Sequence, residues 1–229
     1  MKILIIGADP NSLINFRGDL IKDLIRSDFH VTAMSNNASI DEINKIEKLG
    51  ASYKDLAIAK HGINPLTDLK TLFSLIKNLQ NLQPDYIFAY TVKPVIWGGI
   101  ASKFFPKMQF IGMITGQGFV FGEGGLLRRI IRSIVIILYK LALSNAKAII
   151  FQNVDNKKLF NDLNMLPKEN IYVVNGSGVN IKHFSYKEPK IDLKKIKFLM
   201  VARLLRDKGI YEFISAAERA KSLFDNVEF

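Results

Sequence analysis

Short apolar runs alternate with longer amphipathic segments along most of this chain, and the alternation constrains the fold more than any other feature. The runs are rich in Ile, Val and Phe and are apolar at nearly every position, as in Ile3–Ile6. Strands of this kind are covered on both faces, which is typical of parallel sheets. The pattern therefore predicts an α/β fold, a doubly wound parallel sheet with helices on both faces.

The predicted elements follow from the two periodicities and from the prolines at their edges. The strands are Lys2–Gly7, His30–Ser35, Ala51–Leu56, Asp85–Tyr90, Gln109–Thr115, Ala148–Asn153 and Ile171–Asn175. The helices are Phe16–Arg26, Asp41–Leu49, Leu66–Leu82, Val95–Phe104, Leu126–Ser144 and Asp155–Leu163.

The texture changes after Gly178, and we predict a domain boundary there. Residues 1–185 form the first domain, 186–196 a linker rich in Lys, Pro and Asp, and 197–229 the beginning of a second domain. This last part holds a strand, Lys197–Ala202, and a helix, Ile210–Leu223. One βα unit cannot bury both faces of a sheet, so we expect the second domain to be incomplete in this sequence.

The composition excludes several classes of protein. There are no cysteines, which excludes disulfides and thiolate metal sites, and His30, His61 and His183 lack ligand-like spacing. We therefore expect no protein-bound metal. No P-loop motif occurs, and the glycines from Gly116 to Gly122 have one residue too many for a dinucleotide fingerprint. Neither a P-loop kinase nor an NAD or FAD enzyme is indicated.

The net charge of +11 is concentrated in one stretch. Between Asp85 and Asp155 the only acid is Glu123, and we count these cations: Lys93, Lys103, Lys107, Arg128, Arg129, Arg132, Lys140 and Lys147. A basic surface attracts phosphates in nucleic acid, anionic lipid or a diphosphate substrate. No nucleic-acid-binding pattern accompanies the charge, so we expect no nucleic-acid partner.

The segment Leu126–Ser144 has two interpretations. Its most apolar stretch, Ile130–Leu143, is shorter than the ~20 residues that a membrane span needs. The segment is either a helix that packs on the sheet through its apolar positions with the arginines outward, or one that also contacts anionic lipid through Arg128, Arg129 and Arg132.

Ligands of a doubly wound sheet bind at the carboxyl ends of the strands. The predicted loops there include Ala8–Asn15, Thr91–Pro94, Gly116–Gly125 and Gly176–Val179. Several alternatives stay open at this stage. Lys93 is a solvated loop residue or meets an acceptor diphosphate, and the Gly116–Gly125 loop is a plain turn or closes over a substrate. Asn15 is a candidate helix cap, with Phe16 packing inward.

Several motifs carry a family resemblance. They are Phe151-Gln-Asn-Val-Asp155, Val173–Asn180 and, most diagnostic, Met200-Val-Ala-Arg-Leu-Leu-Arg-Asp-Lys-Gly209, with Asn15–Arg17, Thr91–Pro94 and Thr115–Phe119 in support. The chain resembles the GT-B glycosyltransferases of the retaining family 4, in the bacterial branch that acts on undecaprenyl-diphosphate-linked saccharides. The resemblance implies a Rossmann-like first domain and the first strand and helix of a second Rossmann-like domain.

What the resemblance implies for function is the transfer of a sugar, an N-acetylhexosamine or a hexose, from a UDP-sugar to a lipid-diphosphate-linked saccharide. It also implies a cytoplasmic enzyme, peripheral on the inner face of the membrane, that uses no cofactor. The alternative is a truncated, inactive remnant that binds at most the acceptor or the membrane. Because the donor-binding domain is incomplete, we expect this chain alone to be inactive.

The resemblance also assigns residues. Arg203 and Lys208 match the basic pair that grips the donor diphosphate, and fixed cations stabilise a leaving diphosphate without a metal. The remaining residues of the donor and acceptor cleft are Asn11, Ser12, Lys93, Gly116, Gly118, Gly176 and Gly178. No catalytic residue is assigned, because the Tyr90–Lys93 loop lacks the histidine that many members have there.

Overall fold

The computed structural model describes residues 1–59, 62, 64–116, 118, 121, 125–188, 194–202, 204 and 206–229. Its internal contacts divide the chain into two units, Met1–Asn180 and Ile181–Phe229. The division lies after residue 180, whereas the predicted first domain ends at residue 185.

The first unit is a parallel sheet of seven strands in the order β3-β2-β1-β4-β5-β6-β7. The strands are β1 Lys2–Ile6, β2 His30–Ser35, β3 Ser52–Asp55, β4 Tyr86–Tyr90, β5 Gln109–Ile114, β6 Ala148–Phe151 and β7 Ile171–Val173. The helices are α1 Pro10–Arg26, α2 Ile40–Lys48, α3 Pro65–Leu82, α4 Val92–Ser102, α5 Leu126–Leu143 and α6 Val154–Asp162. The predicted strands and the α/β class are confirmed.

Both faces of the central strands are buried, as their unbroken apolar sequence predicts. Leu4 and Ile6 of β1 belong to a core cluster that includes side chains of α3, α4, α5 and α6. Ile3 and Ile5 point to the opposite face and join a second cluster with α1 and α2. The two clusters explain why β1 alternates between two apolar environments instead of between core and solvent.

The strand order places a topological switch point between β1 and β4. The chain leaves β1 toward β2 and leaves β4 toward β5, so the two connections diverge from neighbouring strands. In open α/β sheets such a divergence opens a crevice at the carboxyl ends of the strands. The residues after β1 and β4 therefore border the expected ligand site.

Helix α1 begins at Pro10, not at the predicted Phe16, so the expected Ala8–Asn15 loop is wrong. The Asp9 carboxylate caps the helix by accepting from the Asn11 backbone N–H at 3.3 Å, and Pro10 occupies the first turn, where proline costs no hydrogen bond. Asn15 consequently lies inside the helix and is not its cap. Phe16 is 60% exposed and does not pack inward.

The second unit contains the predicted helix, but its first strand is shorter than predicted. Strands β8 (Ile196–Lys197) and β9 (Val227–Glu228) pair in parallel, and helix α7 (Ile210–Leu223) connects them after a 3₁₀ turn at Arg206–Lys208. The predicted strand Lys197–Ala202 is therefore wrong in extent. A strand needs a hydrogen-bonded neighbour along its length, and β9 supplies only two residues of pairing.

Helices α4 and α5 contact each other closely at Gly99, and this contact generates a stability prediction. A Cβ at Gly99 would lie 2.6 Å from the Ala142 carbonyl oxygen and 2.9 Å from the Phe110 ring. Backbone cannot give way cheaply, so Gly99→Ala should destabilise the protein by about 1–3 kcal/mol in urea unfolding.

The neighbouring glycine is a matched control. A Cβ at Gly98 would make only ordinary contacts at 3.5 Å. Gly98→Ala should be neutral or stabilise by up to about 1 kcal/mol, because alanine favours the helix. Equal effects of the two changes would contradict the close packing of α4 on α5.

Candidate functional site

A polar cluster lies at the carboxyl ends of the strands, where the switch point predicts a ligand site. It joins Ser12 and Arg17 of α1, Tyr90 at the end of β4, Gln152 after β6 and Ser177 after β7. Each of these elements ends or begins at the same edge of the sheet. Side chains distant in sequence thereby come within hydrogen-bonding distance.

Ser12 and Tyr90 join the two strands that flank the switch point. The Ser12 Oγ lies 2.7 Å from the Tyr90 hydroxyl and 2.6 Å from the Asp9 carbonyl oxygen, to which it donates. A Cβ at Gly7 would lie 2.7 Å from Cζ of the Tyr90 ring, so only glycine leaves room for it there. Burial raises the pKa of Tyr90 to about 12, because water no longer solvates the phenolate.

Arg17 is a buried cation with neutral partners. Its side chain donates to the Phe16 carbonyl at 2.8 Å, to Ser177 Oγ at 2.9 Å and to Met113 Sδ at 3.2 Å. Its Cζ lies 4.6 Å from the centroid of the Tyr90 ring, a cation–π distance. Arg17 is 4% exposed, and burial lowers its pKa. Within the described residues no carboxylate forms an ion pair with it.

Ser177 is held in place by two donors from different elements. Its Oγ accepts from Arg17 Nη1 and from Gln152 Nε2, both at 2.9 Å. The flanking Gly176 and Gly178 have φ values of +80° and +76°, which favour glycine strongly. We call Arg17, Gln152 and Ser177 the Ser177 cluster. Gly176 and Gly178, which the resemblance assigns to the cleft, form the turn that presents Ser177.

Thr91 adopts a strained backbone between β4 and α4. Its φ of +69° and ψ of +166° lie in a region that is almost restricted to glycine. Its Oγ1 is buried and has no hydrogen-bond partner among the described residues. Strain of this kind costs about 1–3 kcal/mol and clusters at functional sites.

Lys93 and Asn11 already have protein partners. Lys93 Nζ lies 2.7 Å from Asp68 Oδ1, and the two side chains are only 15% and 12% exposed. The interpretation of Lys93 as a solvated loop residue is therefore wrong, since it lies in the first turn of α4 as half of a partly buried ion pair. Asn11 donates to Glu42 Oε1 of α2 at 2.6 Å, which ties the starts of the first two helices together.

The remaining candidates are Gly116, Gly118, Arg203 and Lys208. Gly116 and Gly118 follow β5, and Gly118 has a φ of +75°; much of the Gly116–Gly125 loop lies outside the described residues. Lys208 ends the 3₁₀ turn of the second unit. Arg203 lies outside the described residues, so its assignment stays a prediction. Among the residues that are described, no three His, Asp or Glu side chains converge as a metal site.

Helix α5 packs in the orientation opposite to the one predicted. It is buried through Tyr139, Ala142 and Leu143. Six apolar residues, which we call the α5 stripe, are instead 50–74% exposed: Leu126, Leu127, Ile130, Ile134, Ile137 and Leu141.

The arginines of α5 differ in environment. Arg129 is exposed, whereas Arg128 and Arg132 are partly buried, and the Arg132 guanidinium lies 5.6 Å from the Phe121 ring centroid. The outward-arginine interpretation is thus wrong for two of the three. In the described part of the chain, no helix combines the length and the apolarity of a membrane span.

Sequence reasoning missed the most connected residues of the site. Arg17 and Ser177 lay within motifs that carried the family resemblance, but neither was assigned a role. Tyr90 ends an apolar strand and looks like core. The available signal was positional, since both Tyr90 and Ser177 follow or end strands at the ligand-binding edge of the sheet.

A family model described as glycosyl transferase 4-like matches residues 2–153, more than half of the chain. The chain belongs to this family. The match covers β1 through β6 and the crevice at the switch point, and it confirms the resemblance to the family.

A relative from Campylobacter jejuni extends the likeness into the second unit. It is N,N'-diacetylbacillosaminyl-diphospho-undecaprenol alpha-1,3-N-acetylgalactosaminyltransferase, which is 29% identical over 234 residues. The alignment covers 96% of this chain and 61% of that protein. The chain therefore spans less than two thirds of the length of this relative.

Solved structures show the same fold. Sucrose-phosphate synthase from Thermosynechococcus elongatus matches with a TM-score of 0.68 and 14% identity, over 96% of this chain and 60% of that one. A putative UDP-N-acetylglucosamine 2-epimerase from Listeria monocytogenes matches with a TM-score of 0.61 and 14% identity, over 99% of this chain and 61% of that one. These likenesses establish the GT-B type of Rossmann-like architecture.

Tyr90 generates a prediction about alkaline stability. The pKa of Tyr90 is about 12 in the folded protein, above the ordinary value near 10. Above about pH 10 the unfolded chain loses the phenol proton while the folded protein keeps it, so the free energy of unfolding falls as the pH rises toward 12. Between pH 10 and 12 the free energy of unfolding of Tyr90→Phe should fall by about 2–3 kcal/mol less than that of the unchanged protein. At pH 7 the substitution should lower the free energy of unfolding by about 1 kcal/mol, because the hydrogen bond with Ser12 is lost.

Urea unfolding from pH 7 to 12 measures both effects. Tyr186→Phe is the control, because Tyr186 is 86% exposed. If Tyr90→Phe and the unchanged protein lose stability equally above pH 10, the buried phenol is not the group responsible.

Proposed function

We propose that this chain is part of a retaining glycosyltransferase that moves an N-acetylhexosamine or a related hexose from a UDP-sugar to a lipid-diphosphate-linked saccharide. The observation that carries the proposal is the Campylobacter relative, whose similarity runs through both units. The name of that relative specifies a diphospho-undecaprenol-linked saccharide as acceptor and N-acetylgalactosamine as the transferred sugar.

Features of the first unit support an acceptor or donor cleft at the switch point. The Ser12–Tyr90 contact, the strained Thr91 and the Ser177 cluster all border it. Polar groups that converge at the carboxyl ends of parallel strands are typical of ligand sites in this architecture. The second unit is proposed to contribute Arg203 and Lys208 to the donor diphosphate.

The expected chemistry needs positive charge on the leaving group. Breaking the bond between a sugar and a nucleoside diphosphate leaves charge on the diphosphate oxygens, and fixed cations stabilise it. Arg203 and Lys208 are proposed to serve this role. The leaving diphosphate can itself take the acceptor proton in a retaining mechanism, so the proposal requires no separate base.

The test measures sugar transfer by the full-length gene product that contains this sequence. The donors are UDP-N-acetylgalactosamine, UDP-N-acetylglucosamine and UDP-glucose, and the acceptor is a saccharide on a polyprenyl diphosphate. Arg203→Ala and Lys208→Ala should each lower kcat/KM at least ~100-fold, as expected for losing one charge that stabilises the transition state.

Lys221→Ala is the matched control, since it removes another exposed lysine of the second unit, on α7. Its activity should equal that of the unchanged protein. Transfer that is unaffected by Arg203→Ala and Lys208→Ala would remove both residues from the site. No transfer with any donor would favour the alternative, an inactive remnant.

We further propose that the first unit attaches to anionic membrane through the α5 stripe, with cations at its flanks. The stripe exposes six apolar side chains on one helix. Exposed lysines and one exposed arginine on α5 and nearby segments supply the charge, namely Lys103, Arg129, Lys140 and Lys147. An apolar face bordered by cations suits the boundary between headgroups and acyl chains. A cytoplasmic location on the inner membrane face stays part of this proposal.

Vesicle co-sedimentation tests the attachment. With vesicles of phosphatidylglycerol and phosphatidylethanolamine, Ile134→Gln should lower the partition coefficient about tenfold, because about 0.8 kcal/mol is lost per CH₂ withdrawn from the membrane. Arg129→Gln should lower it about fivefold at low salt and less at high salt, because surface charge is screened.

Ile40→Gln is the control, because Ile40 is 80% exposed on α2, which packs on the opposite face of the sheet. It should leave the partition unchanged. Binding that is indifferent to Ile134→Gln, to Arg129→Gln and to salt would show that α5 does not contact the membrane.

A further inference from the structure

We propose that the Ser177 cluster is a binding site for a phosphate or diphosphate group. The Ser177 hydroxyl donates to an oxygen of the anion, and Arg17 lies behind Ser177 as a positioning residue that also supplies positive charge. Nothing in the family match or in the relatives' names assigns these residues. The identity of the anion as part of a transferase substrate rests on the proposed function, whereas the site itself does not.

The first observation is the hydrogen-bond balance at Ser177. A serine hydroxyl has two acceptor lone pairs and one proton. Arg17 Nη1 and Gln152 Nε2 both donate to its Oγ at 2.9 Å, so the lone pairs are occupied. Within the described residues the proton has no acceptor, and Ser177 is exposed. The hydroxyl is therefore a polarised donor accessible to a ligand.

The second observation is the charge at Arg17. Arginine is almost never fully buried without a paired acid, yet Arg17 is 4% exposed and contacts only neutral groups. Its Nε is buried and has no hydrogen-bond partner in the described part of the chain. An unpaired buried cation is costly, and a nearby anion offsets that cost. The positive charge thus indicates the sign of the ligand.

The backbone around Ser177 leaves room for a tetrahedral group. A Cβ at Gly176 or Gly178 would meet nothing within 4 Å, so open space borders both glycines. The positive φ values favour glycine at both positions, so neither position adds a side chain to the turn. Open space beside a buried cation suits an anion that accepts from the Ser177 hydroxyl.

The experiment titrates the 229-residue chain with inorganic pyrophosphate by calorimetry. We expect saturable binding at one site. Ser177→Ala and Arg17→Met should each weaken the Kd at least about tenfold, because each removes a charge-assisted contribution to anion binding. Arg17→Lys, which keeps the charge but not the fork of donors, should weaken it less than Arg17→Met.

Two matched controls separate the site from the general basic surface. Ser133→Ala removes an exposed hydroxyl that donates to the Arg129 carbonyl, and Arg26→Met removes an exposed arginine at the C-terminal end of α1. Neither should change the Kd. No saturable binding, or binding that Ser177→Ala leaves unchanged, would overturn the proposal, as would equal weakening by Arg26→Met.

Thermal unfolding distinguishes this role from a structural one. Without pyrophosphate, Ser177→Ala should lower Tm by a few degrees, because Arg17 Nη1 loses one acceptor, but the variant should remain fully folded at the temperature of the titration, so lost binding cannot be attributed to misfolding. Pyrophosphate should raise the Tm of the unchanged protein but not that of Ser177→Ala. An equal rise in both would contradict the site.

Competition identifies the source of the anion. Displacement of pyrophosphate by farnesyl diphosphate assigns the site to a lipid-linked acceptor, and displacement by UDP assigns it to a nucleotide; either result supports the site. Pyrophosphate binding in a protein that transfers no sugar would leave the site standing and remove the proposed function. Sugar transfer by a protein that does not bind pyrophosphate would remove the site and leave the proposed function standing.

Discussion

The buried guanidinium of Arg17 makes the contacts that connect the segments at the carboxyl-terminal edge of this sheet. It contacts the Tyr90 ring, Met113 of β5 and Ser177 after β7, and so connects α1 to three other segments. Burying a cation without a paired acid costs folding free energy, so Arg17 is not explained by stability alone. Its burial instead indicates a functional role. Tyr90 is fixed from its other side by Ser12, so the cluster spans the switch point.

The fold could be predicted from sequence because its strands are buried on both faces. Short unbroken apolar runs such as Leu4–Ile6 indicate buried strands. The helices between them are long enough to show the 3.6-residue periodicity of apolar positions. The start of α1 was missed because an Asp-Pro capping signal preceded the periodic residues. The length of the first strand of the second unit was overestimated, because the β-propensity of a segment does not supply the neighbouring strand that it needs.

The orientation of α5 shows where periodicity fails. Its sequence is apolar on most of its circumference, so two different stripes satisfy a helical spacing, and only tertiary packing decides between them. Tyr139 faces the core beside Phe160, with ring centroids 4.9 Å apart, and this contact leaves the more obvious stripe outside. Arg17 could not be predicted for a related reason, since nothing local in a sequence marks an arginine as buried.

The connection from β4 to α4 consists of Thr91 alone. A corner this short has no slack, because one added residue would shift the whole of α4 around its axis by roughly a third of a turn. An inserted residue would thus displace Lys93 from its ion pair with Asp68 and Gly99 from its close contact with α5, whereas a substitution at Thr91 changes one side chain and leaves both contacts in place.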